Sequence, residues 1–179
     1  RKLGWRGVLN LEVHNLHVAG GLSARQVRSM IARGWEVDAH TLTHPSFANE
    51  QKPGRRADNQ RLEFLGDAVL GLLASELLME RFPAAKEGEL SLMRSLLVNT
   101  EALAAWARVI GLGQALRLGR GADAAGERER DTVLADAVEA LVGAVYLDRG
   151  IDVARTLSAA IVAEPLARLE SASVVGRDP

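Results

Sequence analysis

Hydrophobic and polar positions divide this chain into a mixed first third and a helical remainder. Near the start, Ser23 suits the N-cap of a helix over Ala24–Arg33 that Gly34 stops, and Trp35 to Asp38 reads as a short extended piece. From His44 to Asp58 the segment HPSFANEQKPGRRAD is polar, with two prolines and a glycine, which predicts a loop. A long apolar run begins at Asn59 and continues to Arg81, where Phe82 and Pro83 end it; its length suits a central core helix. Glu87 to Asn99 and Thr100 to Ile110 predict two shorter amphipathic helices, the second capped by Thr100 and stopped by Gly111. Gly119 to Asp131 reads as a flexible connection, its glycines too scattered to cradle a phosphate. A second apolar run covers Val133 to Leu147, and Asp152 to Leu169 supplies a last amphipathic helix.

The two apolar runs carry the chemistry. Between Leu62 and Ser75 the only charges are Glu63 and Asp67, one helical turn apart. Between Val133 and Leu147 they are Asp136 and Glu139, three residues apart and again on one face. An ionised carboxylate in apolar surroundings is too costly unless it is paired, hydrogen-bonded or bound to metal. Solvent faces or arginine partners are the ordinary fate of acids at such spacing, but a solvent-facing stripe should show more polar residues over three or four turns. Four acids on two helices therefore call for one cation site.

Composition narrows the choice of cation. The chain has 179 residues, enough for one domain with an appendage, and only 4% aromatics, so an all-α class is expected. It contains no cysteine, which removes thiolate zinc sites and disulfides and suits a reducing, cytoplasmic setting. Neither acidic helix contains a histidine, so the donors are hard oxygens suited to Mg2+, with Mn2+ as a substitute. Di-iron bundles use Glu-x-x-His pairs, which both helices lack. Magnesium favours phosphate substrates, and phosphodiester hydrolysis is the leading chemistry. The net charge of −1 supplies no global attraction for a polyanion, so RNA contact would fall to local clusters: Lys52, Arg55 and Arg56, with Arg61 just beyond. The long apolar runs are interrupted by charges, so no membrane span is expected.

The segments NQRLEFLGDAVL and LADAVEALVGAVYLD resemble the two defining motifs of the ribonuclease III endonuclease domain. The resemblance extends through LTHPSFANE, FPAAKEGELS and GLGQALRLGRGAD, covering about Leu42 to Leu169 in the family's order. It implies an all-α, dimeric, magnesium-dependent nuclease that cuts double-stranded RNA, leaving 5′-phosphate and 3′-hydroxyl ends. By motif position it assigns Glu63, Asp67, Asp136 and Glu139 to the metal, with Asp67 and Glu139 catalytic and Glu87 in a secondary acidic role. Gln60 departs from the family's common glutamate, keeping an acceptor oxygen but losing the charge. The family's homodimer implies contacts by Phe64, Leu65 and Val69. Many members carry a separate double-stranded-RNA-binding domain, which would begin where this chain stops; RNA binding by the nuclease part alone is expected to be weak and salt-sensitive.

Residues 7–45 are different. The segment GGLSARQVRSMIARGWEVDAHTLTHP, with GVLNLEVHN as a strand before it, resembles the part of polysaccharide deacetylases that ends in their His-Thr-x-x-His zinc motif, matched by His40 and His44. The family's aspartate motif and the rest of its barrel are missing, so the two histidines are read as ordinary loop and core residues. The expected organisation is an appendage over residues 1–41, a ribonuclease III domain over residues 42–170, and a linker-like tail over residues 171–179. A non-catalytic double-stranded-RNA-binding scaffold is the alternative function, and a deacetylase remnant a remote one.

Overall fold

A computed structural model describes residues 41–51 and 58–175, with side chains through residue 172. The expected Ala24–Arg33 helix, the extended pieces before and after it, and His40 lie outside the described residues. Helices dominate what is described: α1 (Pro45–Glu50), α2 (Gln60–Arg81), α3 (Glu87–Leu97), α4 (Thr100–Ile110), α5 (Leu112–Ala115), α6 (Arg120–Ala124), a 3-10 turn (Glu127–Glu129), α7 (Asp131–Arg149) and α8 (Ile151–Val175). The one extended pairing among these residues is an isolated parallel bridge between Thr43 and Arg117. No described helix is long and apolar enough to cross a membrane.

The two long apolar runs form the centre. α2 and α7 pass each other with Leu62 opposite Gly143 and Gly66 opposite Glu139. A Cβ on Gly66 would lie 1.8 Å from the Glu139 carbonyl oxygen, and one on Gly143 would lie 2.3 Å from that of Leu62. Only glycine allows two helix backbones to touch in this way. Around the crossing, Leu70, Leu73 and Leu78 of α2 join Val138 and Val142 of α7, Leu103 and Ile110 of α4 and Val162 of α8 in one buried core. A smaller cluster of Leu62, Ala140 and Ala144 fills the space beside the crossing. Burying each large aliphatic side chain contributes about 1.5–3 kcal/mol, so these helices are held mainly by their tertiary faces.

Local signals set the helix ends. Gly111 takes a left-handed φ of 70° and returns its N–H to the carbonyls of Ala107 and Arg108, ending α4. The Lys86 backbone N–H donates to Glu89 Oε2 at 2.7 Å, closing the start of α3. Pro165 lies inside α8, where it has no N–H to donate.

Three expectations need correction. The polar stretch after His44 is not all loop: Pro45 at the first helical position and the His44 side chain, accepting from the Ser46 N–H, start the short helix α1. The cap of α4 is Asn99, whose Oδ1 accepts from Ala102 N at 2.8 Å, with Thr100 inside the helix. The expected flexible connection from Gly119 to Asp131 is folded, carrying α6 and the 3-10 turn. Arg128 stiffens this stretch by donating to the carbonyls of Gly113 and Leu116 at 2.6 and 2.7 Å while pairing with Asp123.

Candidate metal centre

The glycine crossing that joins α2 to α7 also brings their acids together. Glu63 lies one turn before Gly66, and Glu139 is the residue whose carbonyl Gly66 touches. Asp136 sits one turn before Glu139 on the same face of α7. The carboxylate oxygens of Glu63, Asp136 and Glu139 lie within 4.8 Å of one another, close enough to hold one metal ion.

Electrostatics express the same crowding. Burial, followed by the charges of Asp67, Asp136 and Glu63, pushes the Glu139 carboxyl up to about 7. Glu63 is also raised, first by burial and then by Asp136, Asp58 and Asp67. Asp136 is raised by burial, and His44 acts in the opposite direction. Three acids held at this separation without a compensating cation repel one another, and a divalent cation would relieve both the repulsion and the desolvation. All the donors are carboxylate oxygens, which fits a hard ion.

The remaining candidates are placed differently. Asp67 is exposed and stands outside the group of three, yet its charge acts on Glu139 and Glu63. Glu87 is exposed at the first position of α3, where its Oε1 accepts from Ser91 Oγ at 2.8 Å; it is not among the grouped acids. Arg61 is exposed in the first turn of α2, while Lys52, Arg55 and Arg56 lie outside the described residues. Gln60 is exposed at the start of α2, with its N–H on Asp58 Oδ1 at 3.2 Å.

Of the three expected dimer contacts, Phe64 is 80% exposed, Leu65 packs half-buried against the core, and Val69 is only 6% exposed. Val69 is therefore corrected to a core residue, since its position on α2 turns it inward. The outward face instead carries Phe64, Leu72 and Met79, at spacings that keep them in line. This central helix thus leaves one apolar face uncovered.

Sequence reasoning missed two neighbours of the cluster. Asp58 precedes α2 and raises Glu63, and its position just before the helix was the available signal. His44 sits in the loop just before α1, as expected, but it is half-buried there, caps α1 and lowers Asp136 against the effect of burial. No periodicity could reveal that influence, because His44 and Asp136 are far apart in the chain.

Comparison with known proteins agrees with this architecture. A family model described as Ribonuclease-III-like matches residues 36–166 and leaves residues 1–35 outside it. The chain is 48% identical over 122 residues to a Ribonuclease 3 of Thermobifida fusca, covering 68% of this chain and 50% of that protein. It is 55% identical over 114 residues to a Ribonuclease 3 of Ectopseudomonas mendocina, covering 64% and 47%. It thus spans about half the length of the curated relatives it matches. Among solved structures, a nuclease domain of Ribonuclease III from Campylobacter jejuni, described for flexibility in a region involved in dimer formation, superposes with a TM-score of 0.68. Its identity is 33%, with 78% of this chain and 95% of that one covered.

Proposed function

The chain belongs to the Ribonuclease-III-like family, and we propose that it is a magnesium-dependent endoribonuclease hydrolysing phosphodiester bonds in double-stranded RNA, leaving 5′-phosphate and 3′-hydroxyl ends. The observation that carries this reading is the meeting of Glu63, Asp136 and Glu139 across the α2–α7 crossing, three carboxylate donors gathered from two helices. These three would hold Mg2+, or Mn2+ in its place, and Asp67 would complete the set from the exposed side of the same region. When bound, the ion polarises a phosphoryl oxygen, lowers the pKa of water and stabilises the leaving alkoxide. The chain's own part is to fix the donors on two helices whose backbones touch, so that little rearrangement is needed on loading. Glu139 must release its proton to serve as a ligand, which ties metal affinity to pH near 7. Glu87 is assigned a secondary acidic role from α3.

Arg61, together with Lys52, Arg55 and Arg56, is assigned to RNA phosphates. The uncovered face of Phe64, Leu72 and Met79 supports a homodimer in which two centres act on the two strands of one duplex. A cytoplasmic setting belongs to the same proposal, consistent with a cysteine-free chain and an RNA substrate. The deacetylase-like resemblance of the first residues has no part in it: His40 lies outside the described residues, and His44 spends its Nδ1 on a helix cap.

The test is cleavage of a labelled RNA duplex with magnesium, with calcium substitution and Glu139→Gln as controls. Magnesium-dependent cutting that the variant loses while still binding RNA is the expected result. Full cleavage by Glu139→Gln would sink the assigned mechanism, and binding without cutting by the unaltered chain would leave an RNA-binding scaffold.

A further inference from the structure

Most of the described arginines are spent on the chain's own acids. Arg81 pairs with Glu170, Arg108 with Asp131, Arg128 with Asp123 and Arg155 with Glu76. Arg61, Arg117 and Arg120 are exposed, and their guanidinium groups have neither an ion pair nor a hydrogen bond among the described residues.

The fold brings these three to one place. Arg117 N donates to the Leu42 carbonyl at 2.8 Å, and the Arg117 carbonyl accepts from His44 N at 3.1 Å, so the residue is paired alongside residues 42–44. The Thr43 carbonyl accepts from Asn59 N at 3.0 Å, two residues before Arg61, and the Asn59 carbonyl accepts from Glu63 N at 2.8 Å. One short piece of chain thus ties Arg117 to the start of the helix that carries Arg61 and the first candidate metal ligand. Arg120 follows three residues later, its backbone N–H donating to Glu50 Oε1 at 2.8 Å. Between them Gly119 packs so closely on α1 that a Cβ would fall 2.6 Å from Glu50 Oε1 and 2.7 Å from the Ser46 carbonyl oxygen.

Arg117 is also held in orientation. Its Cζ lies 4.5 Å from the centroid of the Phe47 ring on α1, and such stacking restrains the flat guanidinium while its edge donors stay free. A salt-bridged arginine must release a carboxylate before it takes a phosphate, whereas this one gives up only water and is already ordered. In a chain of net charge −1, a polyanion can be anchored only by such local, uncompensated cations.

We propose that Arg117, held on Phe47, and Arg120 each take a backbone phosphate of an RNA duplex, extending onto the segment after α5 the contact surface assigned to Arg61. The inference rests on reading the chain as an enzyme of double-stranded RNA. Contacts of this kind set the position of the strand and carry no sequence preference.

The experiment measures binding of the whole chain to a fluorescently labelled RNA duplex by anisotropy, with calcium in place of magnesium, over a series of KCl concentrations, beside melting curves. Arg117→Gln and Arg120→Gln are each expected to melt like the parent and to bind about tenfold more weakly. The slope of log affinity against log salt should become shallower by about 0.9 in each. Phe47→Leu keeps the charge and loses the platform, so its slope should stay unchanged while affinity falls about threefold. Arg168→Gln removes an arginine already paired with Glu164 on α8 and should leave the slope unchanged. Parent-like affinity and slope in the two glutamine variants would overturn the proposal. Weaker binding with an unchanged slope would overturn it as well, since that marks a structural brace and not a phosphate contact. Should Arg117→Gln melt low, Arg120→Gln alone decides. If the unaltered chain leaves the duplex unbound, the functional reading itself has failed, a result separable from failure of these two arginines.

Discussion

Gly66 packs against the backbone of Glu139 so tightly that a single added carbon would sit 1.8 Å from its carbonyl oxygen. The contact joins a structural glycine of one helix to a candidate ligand of the other. Gly66→Ala must therefore push α2 and α7 apart at the point where their acids meet. We expect a loss of about 3 kcal/mol or more, beyond ordinary overpacking because the clash is with backbone. Gly71 on the same helix has open space around its Cα, so Gly71→Ala should stabilise by about 0.5–1 kcal/mol through helix propensity. Urea denaturation of the two variants checks the contrast; similar effects would contradict the close crossing.

The metal-free protein should lose stability as pH rises from about 4.5 to about 7. In that window Glu139 stays protonated in the folded chain while its unfolded counterpart has already ionised. The native state then binds more protons, and stability falls with pH. Because the group is only partly buried, solvent screening reduces the effect to roughly 1–2 kcal/mol. Glu139→Gln should flatten that slope, and magnesium should reverse it by stabilising the charged form. Thermal melts across the pH range in EDTA and in magnesium test both; a slope unchanged by the variant would refute this origin.

Replacing Phe64 by Asp should leave the fold intact and disrupt the proposed dimer. The side chain is 80% exposed, so the monomer's stability should change by less than about 0.5 kcal/mol. Leu70, six residues on and 1% exposed, should behave in the opposite way, with Leu70→Ala costing about 2–5 kcal/mol. Sedimentation analysis of Phe64→Asp beside the parent is the check; identical profiles would exclude this face from self-association.

Arg128 holds two carbonyls, those of Gly113 and Leu116, with one guanidinium nitrogen. Arg128→Met would leave them without that donor and release the salt bridge to Asp123, at a cost of about 1–3 kcal/mol. Hydrogen exchange should rise between Gly113 and Ala124. Unchanged protection there would count against Arg128 as the brace of this segment.

Much of the helical plan was legible in the residues. Apolar and amphipathic runs set α2, α4 and α7 to within about two residues, with Pro83 and Gly111 leaving few places for the first two to end. The two pairs of acids were also readable as two faces. Their meeting was not readable from spacing, since it depends on the contact of Gly66 with Glu139 and of Gly143 with Leu62 between helices distant in sequence. Short elements fared worst. α1 and α6 are anchored to each other, with Glu50 Oε1 accepting from Arg120 N at 2.8 Å, and no local pattern encodes that bond. The exposure of Phe64 was expected only through the family resemblance, because an apolar helix face looks the same in sequence whether the chain or a partner covers it.

The candidate ligands are divided between α2, over Gln60–Arg81, and α7, over Asp131–Arg149, some fifty residues later in order of synthesis. During synthesis, a ribosome would release Glu63 and Asp67 long before α7 could fold against them. A nascent or truncated chain would carry half a set of carboxylates and hold no ion firmly. On the proposed reading, hydrolytic power would thus arrive only once α7 has folded against α2, a built-in delay that leaves the partly made chain inert.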